Sequence, residues 1–193
     1  MEAGAPGSRL LDLCRADILV RQVHPSQTTP YGSKTIWEML ANKYEYRRRL
    51  PHFQKADRAL FVSFRKGRNT SLPEPCRSAV LDCCLYGNGT RFHLHAAVVM
   101  PEHVHLLMTP LRDAHGDVFC LRDILKGIKG ASARSVNRLL GGSGPVWQEE
   151  SFDYVVRTHE SLQQKIEYIR QNPVRRGLVK TPEEYRWLWI ELV

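Results

Sequence analysis

Two apolar runs joined by a short turn constrain the fold of this chain more than any other feature. The first run covers residues 96–100, and the second covers residues 106–108 after Pro101, Glu102 and a pair of histidines. Short apolar runs bounded by turn residues are typical of strands buried on both faces. We therefore predict a β-hairpin whose strands span residues 91–100 and 103–109.

A pair of histidines opens the second strand of this hairpin. Side chains alternate across a strand, so His103 and His105 point to one face and Val104 points to the other. Two imidazoles side by side on a rigid strand can hold one metal ion. The alternative is a pair of hydrogen-bonded core histidines.

The first strand carries a competing pair of histidines, His93 and His95. The register of the hairpin decides whether the two pairs share a face. A three-residue loop that pairs Val99 with His103 puts all four histidines on one face, whereas a two-residue loop separates the pairs. The sequence leaves both registers open.

Hydrophobic periodicity and turn residues indicate the remaining elements. The pattern predicts a strand over 59–65, a helix between 71–73 and 87–89, a helix over about 121–140, a strand over 146–157, and a helix over 159–172. Thr158 can cap the last helix, and we expect Pro173 to end it because the residue before a proline avoids the helical region.

The N-terminal part of the chain lacks such patterning. We treat residues 1–45 as an extension, with ordered and disordered states both open, and residues 46–193 as one domain.

The net charge is +8 and the pI is about 9.4, which favours a polyanionic partner, with nucleic acid first and an anionic membrane second. The five cysteines show no framework for disulfides or zinc, and neither a signal peptide nor a membrane span is evident, so we expect a cytoplasmic protein.

The helix over 159–172 carries a candidate nucleophile. Tyr168 and Asn172 lie one turn apart, on a side of the helix different from the apolar stripe of Leu162, Ile166 and Ile169. A divalent cation polarises a phosphodiester, which makes a positioned tyrosine hydroxyl a usable nucleophile. Imidazole and amide oxygen suit Mg²⁺ or Mn²⁺, although imidazole also binds Zn²⁺. A surface tyrosine beside a capping asparagine is the alternative.

Several segments together resemble one family. Residues 100–107, with His103 and His105, resemble the His-hydrophobic-His motif of single-tyrosine HUH transposases. Residues 168–179 resemble the tyrosine helix and following turn of the REP-associated tyrosine transposases, and residues 47–51 and 147–155 also resemble that branch. The resemblance covers roughly residues 47–189.

The resemblance implies a fold and an activity. The expected fold is an α+β, ferredoxin-like sandwich with a central antiparallel sheet and helices packed on it. The expected activity is metal-dependent cleavage and rejoining of single-stranded DNA at hairpins through a 5′-phosphotyrosine intermediate. By position, His103 and His105 would be metal ligands, Tyr168 the nucleophile and Asn172 the third ligand.

Basic residues are the candidates for binding single-stranded or hairpin DNA. They are Arg47, Arg48, Arg49, Lys126, Lys129, Arg134, Arg138, Arg175 and Arg176. We expect no membrane partner and a bacterial location with the nucleoid, while monomer and homodimer both remain open. The rival functions are a non-catalytic nucleic-acid binder on the same fold and a metal-dependent hydrolase that uses all four histidines.

Overall fold

Five strands and three α-helices make up the part of the chain that this computed structural model describes, residues 57–67 and 71–191. The predicted extension at 1–45 and the basic residues Arg47, Arg48 and Arg49 lie outside those residues. In chain order the elements are β1 (Leu60–Lys66), α1 (Glu74–Leu85), β2 (Phe92–Val99), β3 (His103–Pro110), α2 (Leu121–Leu140), β4 (Trp147–Val155), α3 (His159–Arg175), a 3₁₀ turn (Pro182–Glu184) and β5 (Leu188–Ile190).

The strands form one sheet in the order β4-β1-β3-β2-β5, and every neighbouring pair is antiparallel. β3 lies between β1 and β2, so the connection through α1 makes a split βαβ unit. The α+β class and the ferredoxin-like sandwich with a central antiparallel sheet are therefore confirmed.

Helices cover both faces of the sheet. On one face the Trp147 ring packs edge-on against Phe64, and its Nε1 donates a hydrogen bond of 2.9 Å to Ser132 Oγ on α2. α1 packs beside α2. On the other face α3 brings Tyr168 against Phe61 of β1. Phe61 and Phe64 point to opposite faces because they are an odd number of residues apart. His103 and His105 share the α3 face, because they pair with Arg65 and Ser63 of β1.

The β2–β3 hairpin has a two-residue loop and one bulge. Val99 pairs with Val104, and Met100 N donates to His103 O. The register shifts between Leu94 and Ala96, so His93 lies opposite Thr109. A two-residue loop alone would put His93 on the face away from His105. The bulge inserts one residue and returns His93 to the face of His105, because opposed residues share a face.

One predicted boundary was wrong and one strand was not predicted. Pro173 does not end the last helix, which continues to Arg175 and is followed by Gly177 in the left-handed conformation. A proline this close to the end removes one backbone hydrogen bond, and the remaining turn is kept by bonds such as Arg176 N to Asn172 O. The sequence pattern did not predict β5, in which Leu188–Ile190 pair with β2 as an edge strand.

Thr158 caps α3 as predicted, and its side chain accepts a hydrogen bond from Ser161 N. No helix within residues 57–67 and 71–191 is long and apolar enough to cross a membrane.

Candidate functional site

Two imidazoles lie together on the α3 face of the sheet. The ring centroids of His103 and His105 are 4.6 Å apart, so the prediction that they share a face is confirmed. The His105 ring stacks on Phe61 with centroids 5.2 Å apart, and only 7% of the residue is exposed. His103 is half-buried at the end of the strand next to the turn. One imidazole is therefore fixed by packing, and the other is partly accessible to solvent.

The histidine pair has the properties of a ligand pair. Burial lowers the pKa of His103 to about 4, with Arg65 and Arg176 adding to the effect. Burial, followed by His103, Lys165 and Arg65, holds the pKa of His105 well below its usual value. Both rings are therefore neutral near pH 7, which is the form that binds metal.

One nitrogen of this pair lacks a partner. His105 Nδ1 is buried and makes no hydrogen bond to any of the described residues. A buried polar atom without a partner is costly, and such exceptions in a native fold call for an explanation. The chemistry of the two imidazoles and this unpartnered nitrogen fit a divalent cation.

Tyr168 reaches the histidines from α3. Its ring lies edge-on to His105 with centroids 5.6 Å apart and edge-on to Phe61 at 5.8 Å. The residue is half-buried on the sheet side of the helix, where the neighbouring Ile169 is fully buried. The helix thus brings together the two motifs that lie far apart in the sequence.

Asn172 lies one turn after Tyr168 and is 7% exposed. Its side chain hydrogen-bonds the tyrosine hydroxyl. Burial raises the pKa of Tyr168, whereas Arg175 and the bond from Asn172 lower it. The net effect is a rise, so the resting hydroxyl is protonated at neutral pH. The described contact of Asn172 is therefore with the Tyr168 hydroxyl.

Cationic side chains surround the tyrosine. Lys165 Nζ lies 5.0 Å from the Phe61 ring centroid and 5.7 Å from that of Tyr168. The guanidinium carbon of Arg175 lies 5.5 Å from the Tyr168 centroid. Burial lowers the pKa of Lys165. This concentration of positive charge beside a hydroxyl is suited to an anionic group such as a phosphodiester.

Arg176 and the hairpin turn form the rim of the site. Arg176 pairs with Glu102 at 3.2 Å, although both side chains are well exposed. An open groove of about 390 Å³ lies between the hairpin turn and the end of α3. It is lined by Pro101, Glu102, Arg175, Arg176 and Leu178. Two of the lining residues, Arg175 and Arg176, are cationic.

Sequence reasoning did not identify Lys165 and Arg65 as site residues. Lys165 is three residues before Tyr168, which puts the two on neighbouring positions of one helix face. That spacing was a usable signal. Arg65 is opposite His103 in the β1–β3 register, which no local pattern reveals.

The predicted DNA-binding residues fall into two groups. Arg175 and Arg176 lie at the site. Lys126, Arg134 and Arg138 are exposed on α2, which covers the opposite face of the sheet. Lys129 differs from them, because its ammonium donates hydrogen bonds to Gln148 O, Glu149 O and Ser151 Oγ of β4. Its donors are therefore already used within the fold.

The second pair of histidines lies elsewhere on the sheet. The ring centroids of His93 and His95 are 4.7 Å apart, and both side chains lie near the carboxylate of Glu191. His93 is opposite Thr109, four residues along β3 from His105, which is about 13 Å at the usual strand rise. The histidines therefore make two separate sites, and a single four-histidine centre does not form.

Comparison with solved structures supports the fold of this chain, whereas comparison of sequences finds no match. No protein-family model matches it, and no curated protein does. A solved structure of a REP-associated tyrosine transposase bound to a REP hairpin aligns with a TM-score of 0.54 at 21% identity, over 75% of this chain and 81% of that one. The chain therefore shares the fold of a REP-associated tyrosine transposase, and the resemblance is confirmed at that level.

Two other solved structures align less closely. A candidate transposase from Deinococcus radiodurans R1 has a TM-score of 0.38 and 24% identity, over 63% of this chain and 97% of that one. A bacterial tRNA(His) guanylyltransferase-like protein in complex with GTP has a TM-score of 0.47 and 9% identity, over 71% of each chain.

Proposed function

We propose that this protein is a metal-dependent tyrosine transposase that cleaves and rejoins single-stranded DNA at hairpins through a 5′-phosphotyrosine intermediate. The observation that carries the proposal is the contact of Tyr168 with His105, whose buried Nδ1 lacks a partner among the described residues. A neighbour with the same fold is bound to a REP hairpin, which supports DNA as the partner.

Tyr168 is the nucleophile in this proposal. Its hydroxyl oxygen attacks the scissile phosphorus, a phosphorus–oxygen bond to tyrosine forms, and the bond to the 3′ oxygen of the leaving strand breaks. The phenolic proton is lost and the departing 3′ oxygen gains one. Because burial raises the pKa of Tyr168, the hydroxyl enters the reaction in its protonated form. Rejoining is the reverse, with a 3′ hydroxyl attacking the phosphotyrosine.

Asn172 and the packing around Tyr168 orient the attack. The bond from Asn172 fixes the hydroxyl, and edge-on contacts with Phe61 and His105 hold the ring. A nucleophile held near its in-line position needs less reorganisation to react. The role of Asn172 as a third metal ligand remains a prediction.

His103 and His105 would hold Mg²⁺ or Mn²⁺. When bound, such a cation neutralises charge on the scissile phosphate and polarises it. Positive charge from this chain acts in the same direction. Lys165 and Arg175, next to the Tyr168 ring, attract the phosphate and stabilise the charge that develops on it during the attack.

Substrate DNA extends beyond the reacting phosphate. The groove beside Arg175 and Arg176 accommodates the strand next to the scissile bond. Lys126, Arg134, Arg138 and the basic run Arg47–Arg49 are proposed phosphate contacts for the rest of the DNA. Lys129 is left out of this set because its ammonium binds β4.

A covalent-adduct assay tests the function. Purified protein is incubated with single-stranded hairpin DNA from around its own gene, with and without Mg²⁺ or Mn²⁺, and run on a denaturing gel. The transposase produces a shifted protein–DNA band and a cleaved strand, both only with metal. Tight binding without cleavage in any metal would instead identify a non-catalytic DNA-binding protein.

A further inference from the structure

We propose that His93, His95 and Glu191 form a second divalent-metal site, of the kind that takes Zn²⁺, and that the bound ion fastens β5 to β2. Among the described residues, these three make the one group of His, Cys, Asp or Glu side chains whose potential ligand atoms all lie within 4.8 Å of one another. Two imidazoles and one carboxylate are a known ligand set for Zn²⁺, with water in the fourth position.

The distances between ligand atoms fit a small cation. His93 Nε2 is 2.8 Å and His95 Nδ1 is 3.8 Å from the same oxygen of Glu191. Ligands at ordinary zinc bond lengths in a tetrahedral site lie about 3.4 Å apart. The observed separations bracket that value, so small side-chain rotations suffice. The side chains of His93, His95 and Glu191 are 42%, 16% and 36% exposed, which lets an ion enter.

A further contact prepares His95 as a ligand. Its Nε2 lies 2.8 Å from Thr109 Oγ1 on the neighbouring strand. A ligating histidine usually donates its other ring N–H to an oxygen, which fixes the tautomer and the ring orientation. With the proton on Nε2, the lone pair of Nδ1 points towards Glu191. The bulge in β2 contributes as well, since it brings His93 opposite Thr109.

The ion would have a structural role. β5 has three residues and lies at the edge of the sheet, so it is weakly held by its own pairing. Glu191 follows β5 directly, and its N–H donates to His95 O at 3.1 Å. An ion shared by Glu191 and the two histidines would lock the end of β5 to β2. The site is about 13 Å along β3 from His105, so it stands apart from the proposed transposase chemistry.

Zinc binding to the full chain tests the proposal. Isothermal titration with Zn²⁺ alone, supported by the absorption spectrum of the Co²⁺ form, gives the number of sites in the wild type, in Glu191→Gln and in His103→Ala. We expect Glu191→Gln to lose one equivalent that His103→Ala retains. The glutamine keeps the shape of the side chain and its hydrogen bonding, so the fold should survive. Thr109→Val should weaken the same site about tenfold or more through His95.

Melting temperatures give a second readout. Zn²⁺ at about 100 times its dissociation constant should raise the melting temperature of His103→Ala by about 5–10 °C, and it should leave that of the double variant His103→Ala/Glu191→Gln unchanged. Equal Zn²⁺ stoichiometry and equal stabilisation in wild type and Glu191→Gln would overturn the proposal and leave His93 and Glu191 as a hydrogen-bonded pair. Loss of Zn²⁺ binding in His103→Ala alone would also overturn it. Neither result depends on DNA cleavage.

Discussion

The Tyr168 ring lies edge-on to the His105 ring, with the two centroids 5.6 Å apart. One residue comes from the central strand of the sheet and the other from the helix that covers it. Phe61 contacts both rings and fixes their relation. Tyr168 and the candidate ligand pair are therefore held next to each other by the packing of the core.

His103→Ala should abolish metal-dependent cleavage while the fold remains, because His103 is half-buried and its replacement leaves little empty space. The measurement is the initial rate of hairpin cleavage over a Mn²⁺ titration, with circular dichroism as a check on folding. His93→Ala is the matched control, since it removes an imidazole from the same sheet face about 13 Å away. A greater loss of cleavage in His93→Ala than in His103→Ala would show that the catalytic metal binds His93 and His95 instead.

Lys165→Met should lower the single-turnover cleavage rate at least tenfold at saturating DNA. The Lys165 ammonium lies over the Phe61 ring, and methionine keeps a side chain of similar length while it removes the charge that acts on the phosphate. Lys126→Met makes the same chemical change on the opposite face of the sheet. It should leave the single-turnover rate unaltered, and equal rates for the two variants would refute the assigned role of Lys165.

Neutralising Lys126, Arg134 and Arg138 together to glutamine should weaken DNA binding and flatten its salt dependence. Each lost phosphate contact lowers the slope of log K against log salt by about 0.7 for single-stranded DNA. Lys129→Gln is the contrasting variant. It should reduce stability with the slope unchanged, because its ammonium bonds β4. A slope that is the same in the triple variant and the wild type would return the three residues to an ordinary solvated surface.

Ser132→Ala should destabilise the fold by about 1–3 kcal/mol, because it leaves the buried Trp147 Nε1 without its acceptor. Urea unfolding followed by tryptophan fluorescence measures the change. In the background of Trp147→Phe, which removes the donor, Ser132→Ala should cost much less. An equal cost in both backgrounds would show that the hydrogen bond contributes nothing.

Local patterns were sufficient for most elements of the fold. The hairpin, α2 and the shared face of His103 and His105 follow from periodicity, which depends only on neighbouring residues. The bulge at His95 could not be predicted from periodicity, because the sequence there continues an unbroken pattern of apolar residues and histidines. β5 was also missed, since a three-residue edge strand gains its form from pairing with β2.

The cations around the tyrosine show a second limit. Lys165 lies outside the apolar stripe of Leu162, Ile166 and Ile169, yet α3 packs on the sheet so that its ammonium lies near the Phe61 and Tyr154 rings. Arg65 is brought to His103 by the pairing of β1 with β3. Such neighbours depend on tertiary packing, whereas the order of His103, His105, Tyr168 and Asn172 along the chain carried the resemblance.

The most direct test of the proposed function is whether the Tyr168→Phe variant still forms the covalent protein–DNA band. Phenylalanine keeps the ring contacts with His105 and Phe61 and removes only the hydroxyl, so melting temperature and hairpin binding should stay close to those of the wild type. Tyr154→Phe is the matched control, because Tyr154 lies near the same Lys165 ammonium. We predict that the band and the cleaved strand vanish in Tyr168→Phe and persist in Tyr154→Phe. A Tyr168→Phe protein that still forms the band would contradict the assignment of the nucleophile.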